Sequence, residues 1–178
     1  MARSLFIRPV DVFKNTLIQA DLDPDKLIPF IEAFQDTELQ DFLGENLYTT
    51  LDDLVWRSGQ TPVQTPNINE ADYATYKTFI TDHLRRIVEQ GAAAIYMRYG
   101  KYTISNKGNF VHTATDGRAM TDAEEQDVIN KINGRKEFYM ERTLDYLCTQ
   151  NPFAEFSTTS TSDLPPSYET YNWGFEGI

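Results

Sequence analysis

Leu27, Ile28, Phe30, Ile31 and Phe34 recur at helical spacing directly after Asp23, Pro24 and Asp25, so the pattern predicts a helix opening near Asp23. The two aspartates are good caps, because a short carboxylate accepts from first-turn N–H groups, and Pro24 suits a first turn. Pro29 must lie in the first turn or kink the helix, since an interior proline lacks an N–H and clashes with the turn before it. Leu39, Phe42, Leu43, Leu47, Leu51, Leu54 and Val55 continue the apolar stripe, and Gly44 is expected to end one helix or to allow a close crossing before the next. A polar linker, RSGQTPVQTPNIN, follows. Asn69 then caps a long helix with the stripe Tyr73, Tyr76, Phe79, Ile80, Leu84, Ile87, Val88, Ile95 and Tyr96, in which Gly91 to Ala94 would admit a close neighbour. Thr121 to Glu124 has the spacing of a capping box and opens another long helix. Its face is marked by Val128, Ile132, Phe138, Tyr139, Arg142, Tyr146 and Leu147, and Asn151–Pro152 stops it.

Two stretches break this helical period. KYTISNKGNFVHT, Lys101 to Thr113, alternates like a β-hairpin: strands are predicted near Tyr102–Ser105 and Phe110–Thr113, joined through Asn106, Lys107, Gly108 and Asn109. Gly108 is the expected φ > 0 position. A lone two-stranded hairpin is marginal in water, so this one leans on its own helices or adds strands to a neighbour. After Phe156, the Ser/Thr run Ser157–Asp163 reads as an extended linker. It leads to an acidic stretch carrying Tyr168, Tyr171, Trp173 and Phe175, approached through Pro165–Pro166. Aromatic residues are unusual in a tail with no core to bury them, and they are frequent interface anchors. The expected fold class is mainly α: a helical bundle with an inserted β-hairpin and an extended C-terminal arm. The expected divisions are an N-terminal segment 1–22, a helical domain 23–152 with the hairpin at 101–118, and the arm 153–178.

Composition narrows the function classes. With 178 residues, 40% hydrophobic and 24% charged, the chain can bury a real core and is not a disordered sequence. No apolar run approaches the ~20 residues needed to span a bilayer, no secretory signal is evident at the N-terminus, and no membrane partner is expected. The single cysteine, Cys148, excludes an intrachain disulfide framework and fits a reducing compartment. A formal net charge of −11 repels phosphate, so nucleic acid is not expected as a tightly bound ligand, although a duplex could slide past such a surface.

Candidate chemistry is sparse. His83 lies in a helix and reads as packing or surface; His112 has no carboxylate or cysteine at ligand spacing. No phosphate loop, dinucleotide fingerprint, zinc motif or nucleophile elbow is present. Asp52–Asp53 and Glu124–Glu125 are adjacent on helices, where neighbours diverge, and read as solvated or first-turn acids. Arg85 and Arg86, beside Asp82 and Glu89, read as a charged helix face. No catalytic, cofactor-binding or metal-binding residues are assigned, no cofactor is expected, and an enzyme is not.

The order of motifs resembles a known family. DKLIPFIEAFQDTELQDFLGENLYTTL, then YTISNKG, EFYMERTLDYL and NPFAEF, is similar to small structural proteins of tailed bacteriophages, frequent in phages of Bacteroidetes and including crAss-like phages. The residues that carry it are Ile28–Pro29, Gln35, Gln40, Leu43–Gly44, Leu47–Tyr48, Asn106–Lys107–Gly108 and Glu137 to Leu147, with Ser105 where the family pattern has threonine. The match runs from about Asp23 to Phe156 and does not cover the arm closely. The resemblance implies a head–tail connector, or adaptor: a mainly α subunit forming a ring, usually twelvefold, beneath the portal at the virion neck, with DNA passing through unbound. Portal and tail or neck proteins would be its partners, and the host cytoplasm its place of assembly. The expected subunit and portal contacts are Ile104, Asn106, Lys107, Gly108 and Phe110 on the hairpin, and Tyr168, Tyr171, Trp173 and Phe175 on the arm. The alternative is a soluble helical binding or regulatory domain with a C-terminal linear interaction motif.

Overall fold

The computed structural model describes residues 4–18, 23–100 and 121–156 in full, and residues 102–105 and 108–111 by their backbone. Among the described residues the chain is mainly α, and helix runs in five stretches: 9–15, 24–43, 45–58, 71–99 and 122–150. α1 is Pro9–Asn15. The second stretch starts with a tight turn at Pro24–Leu27, continues as α2 (Ile28–Phe34), widens into a π-helical turn at Gln35–Leu39, and closes with α3 (Gln40–Leu43). α4 is Glu45–Ser58. The fourth stretch contains α5 (Ala74–Phe79), a second π-helical turn at Ile80–Leu84, and α6 (Arg85–Tyr99). The last is α7, Asp122–Gln150.

Local chemistry explains the boundaries. Asp23 accepts from the Asp25 N–H at 3.1 Å, and Pro29 falls within the first two positions of α2, where its missing N–H costs nothing. Gly44 separates α3 from α4 at φ +76, a left-handed conformation that a side chain would strain. Thr121 and Glu124 form the expected reciprocal capping box of α7. Asn151, at φ 40, ends that helix in the left-handed region where asparagine is tolerated, just ahead of Pro152. Asn69 is not the cap expected of it. The fourth stretch begins two residues later, after Glu70, and Asn69 instead accepts from Lys77 Nζ at 3.0 Å.

α6 is the central element, packed against α1, α2 and α7. Its residues Ile87 to Ala94 are all buried in succession, which is how a helix surrounded on every side must be built. The small-residue patch does what its composition suggests. Gly91 lets the ring of Phe34 lie directly on the α6 backbone, and Phe34 is fully buried. Ile129, Ile132, Thr143 and Leu147 are the buried face of α7. Phe138 and Arg142, placed on that face by spacing, are exposed instead; they sit on the opposite side of the helix.

The packed unit reaches beyond 23–152 in both directions. Phe6, Ile7, Val12 and Ile18 join the core from the N-terminal segment, and Phe153, 1% exposed, joins it from the beginning of the expected arm. Phe153 packs against Tyr76 and Phe79, and Tyr76 donates to both oxygens of Glu155 at 3.0 and 3.1 Å.

Candidate assembly surfaces and a buried polar cluster

The expected contact residues fall in two places. Between α6 and α7, β1 (Tyr102–Ser105) and β2 (Gly108–Val111) pair antiparallel, with Tyr102 opposite Val111, Ile104 opposite Asn109 and Ser105 opposite Gly108. The second strand therefore starts two residues earlier than its alternation suggested, and Gly108 belongs to the strand rather than to the connection. Ile104, Gly108 and Phe110 are thus brought onto one short ladder; Asn106, Lys107 and His112 lie outside the described residues. Tyr168, Tyr171, Trp173, Phe175 and the linker Ser157–Asp163 also lie outside them.

Exposed apolar side chains elsewhere were not singled out as contacts by sequence. Phe138 is 60% exposed and meets Tyr139 edge-on at 5.7 Å; Tyr99, at the end of α6, is 54% exposed and Leu17, after α1, is 65% exposed. The exposed side of α7 also carries Lys131, Arg135 and Arg142. A shallow polar groove of about 490 Å³ opens between α4 and the turn after α7, lined by Asn46, Thr49, Thr50, Asp53, Ala154 and Glu155. It brings together no set of acid, base and nucleophile.

The main surprise is polar and buried. Glu89, expected on a charged helix face, is fully buried between α1 and α6. Its Oε1 accepts from Arg85 Nε and from Asn15 Nδ2, each at 2.8 Å, while Oε2 has no hydrogen-bond partner among the described residues. Arg85 also reaches Asp11 at 3.2 Å, and Arg8 meets the same carboxylate at 3.1 Å. Burial pushes the Asp11 carboxyl up, but the Arg8 hydrogen bond and the Arg85 and Arg8 charges outweigh it, so Asp11 lies below its ordinary 3.8. The Glu89 bond in turn raises the Arg85 guanidinium. Gln90 completes the joint, donating to the Asn15 carbonyl at 3.1 Å. With charges matched two against two, this cluster fastens α1 to α6; nothing in it is arranged for proton transfer to a substrate.

A second fastening holds the residues ahead of α1. Gln35, in the first π-helical turn, accepts from the Phe6 N–H and donates to the Ser4 carbonyl, both at 3.0 Å, as a β-ladder neighbour would. Ser4 also donates to Asp52, which was expected to be solvated. Lys136 pairs with Glu38 and lies over the Phe34 ring at 5.8 Å. His83 stacks on Tyr146 with ring centroids 4.1 Å apart, in agreement with a packing role. Burial lowers its pKa; Asp82 opposes that shift and Arg142 adds to it.

Among the described residues no cluster of three or more His, Cys, Asp or Glu side chains could hold a metal ion, and no helix is long and apolar enough to cross a membrane. No curated protein and no solved structure matches the chain. Residues 39–164, running from the first π-helical turn through α7 and beyond, match one family model over more than half of the chain, and the chain belongs to that family, described as a family of unknown function (DUF6712).

Proposed function

We propose that the chain is a ring-forming subunit of a tailed-phage head–tail connector, seated below the portal at the virion neck. In this reading it is a helical bundle with an inserted β-hairpin and an extended C-terminal arm, and both additions serve neighbours rather than the subunit's own core. The observation that carries the reading is Phe138. It belongs to the EFYMERTLDYL motif on which the phage resemblance rests, yet it is 60% exposed while Thr143 and Leu147 of the same motif are buried. Folding of one chain uses part of the motif and leaves a large aromatic ring in water, where an intersubunit contact would cover it. The β1–β2 pair adds support: among the described residues its sheet has two strands and no further strand pairs with either outer edge, and such an edge can take a strand from another chain.

A heterologous contact repeated head to tail closes into a ring when its rotation allows. A net charge of −11 distributed around a channel would keep a passing duplex from adhering. Light scattering with negative-stain imaging of the purified full chain tests the reading: closed rings are expected. A chain that stays monomeric at every attainable concentration would favour a soluble binding domain with a C-terminal motif.

A further inference from the structure

α7 carries a stripe that the fold does not use. Lys131, Arg135, Phe138 and Arg142 follow one another at intervals of four, three and four residues, so they line one side of the helix, and all four are exposed. They lie away from the buried face of Ile129, Ile132, Thr143 and Leu147. Lys131 is paired with Asp127 at 2.6 Å, whereas no ion pair reaches Arg135 or Arg142 among the described residues. Asp127, Glu141 and Asp145 border the stripe without interrupting it. Two guanidinium groups with no ion pair among the described residues, on either side of an exposed phenyl ring, are unusual in a chain of charge −11.

The complementary chemistry is in the same sequence. Beyond Arg142 there is no lysine or arginine, and residues 163–178 combine Asp163, Glu169 and Glu176 with Tyr168, Tyr171, Trp173 and Phe175. An acidic, aromatic segment matches a basic stripe centred on an aromatic ring: carboxylates pair with the guanidinium groups, and the rings cover Phe138 or stack on arginine. We infer that the exposed α7 stripe of one copy is the docking site for the C-terminal segment of a second copy. The inference deepens the assembly role proposed for the arm, and relies on the connector reading only for closure into a ring.

The test uses full-length chains. Arg135→Glu with Arg142→Glu reverses the stripe; Asp163→Lys with Glu169→Lys and Glu176→Lys reverses the segment; Phe138→Ser removes the ring without changing charge. Each changed position on α7 is exposed, and circular dichroism checks that helix content is kept. Sedimentation velocity should show self-association weakened about tenfold or more by each set, since central aromatic and arginine contacts carry most of an interface's energy. Mixing the stripe-reversed chain with the segment-reversed chain should restore association as alternating hetero-oligomers, because each stripe then meets a segment of opposite charge. Wild-type chains that do not associate, variants that associate as wild type does, or a mixture with no hetero-association would each overturn the inference. Rings that survive both reversals would sink it while leaving the connector reading intact. Open oligomers that depend on these residues would keep it and count against the ring.

Discussion

Gly91→Ala is the most revealing single substitution, because two physical effects predict opposite signs. On helix propensity alone, alanine should stabilise α6 by about 1 kcal/mol. The packing says otherwise. A Cβ at Gly91 would lie 2.2 Å from Phe34 Cε2, 2.3 Å from Cδ2 and 2.5 Å from Cζ. Ordinary carbon contacts are ~3.5–4.0 Å, so the ring or the helix would have to retreat by about an ångström or more. Phe34 is fully buried and has Lys136 over its ring, so retreat disturbs a closed part of the core. Overpacking of this kind costs ~1–3 kcal/mol, and so close an approach belongs at the upper end. Subtracting the propensity gain leaves a loss of about 2 kcal/mol, or roughly 4–8 °C in Tm for a chain of this size. Urea denaturation followed by helical circular dichroism should show a lower midpoint with an unchanged slope. In a Phe34→Leu background the same substitution should become neutral or stabilising, a coupling of about 2 kcal/mol or more between contacting residues. Equal or greater stability of Gly91→Ala in the otherwise unchanged chain would refute the close approach.

Four further outcomes follow from the contacts described. Leu84→Ala or Ile132→Ala should each lose ~2–5 kcal/mol in chemical denaturation, as emptied aliphatic sites do, and no loss at either would contradict the helix faces. Gln35→Ala should release both backbone partners of the residues ahead of α1 and speed hydrogen exchange at the Phe6 amide; unchanged exchange would mean the fastening is elsewhere. Asp11 titrates below 3.8 when folded, so its contribution is full above the unfolded value and disappears as pH falls through the folded one; Asp11→Asn should flatten the acid limb of stability against pH, and parallel limbs would exclude this role. Burial and the Glu155 bond push Tyr76 up to about 12, so its contribution holds below 10 and is lost as pH rises towards 12; a phenolate absorbance titration of Tyr76→Phe should lack the latest step, and an identical curve would refute the assignment.

The helical faces were readable because burial follows spacing. Leu27, Ile31, Phe34, Leu47, Leu51, Leu54, Leu84, Ile87, Val88, Ile132 and Leu147 recur at helical intervals, and every one is buried. Capping chemistry at Asp23, Thr121 and Asn151 was equally direct, since each rests on a few adjacent residues. The N-terminal segment escaped notice because α1 has seven residues, too few for a stripe, and its helix depends on tertiary partners. Glu89 was misread for a different reason. Four residues after an arginine, an acid looks like a surface pair, and nothing local shows that a distant Asn15 will bond it or that a distant Asp11 will share its arginine. The π-helical turns at Gln35–Leu39 and Ile80–Leu84 have no local signature either. Phe138 was assigned inward because aromatic rings usually are.

The fastening of α1 also puts a clock on folding. Its acceptor Glu89 lies 74 residues downstream of Asn15, and Gln35 lies 29 residues downstream of Phe6. At ~5–20 residues per second, translation separates Asn15 from Glu89 by about 4–15 s. Throughout that interval Val12 has no α6 to rest on, and Asp11 has no Arg85. The nascent chain can gather Gln35 and the residues ahead of α1 early, but the charged joint closes only after α6 has emerged. Vectorial synthesis thus leaves α1 to be captured late by a helix encoded far downstream.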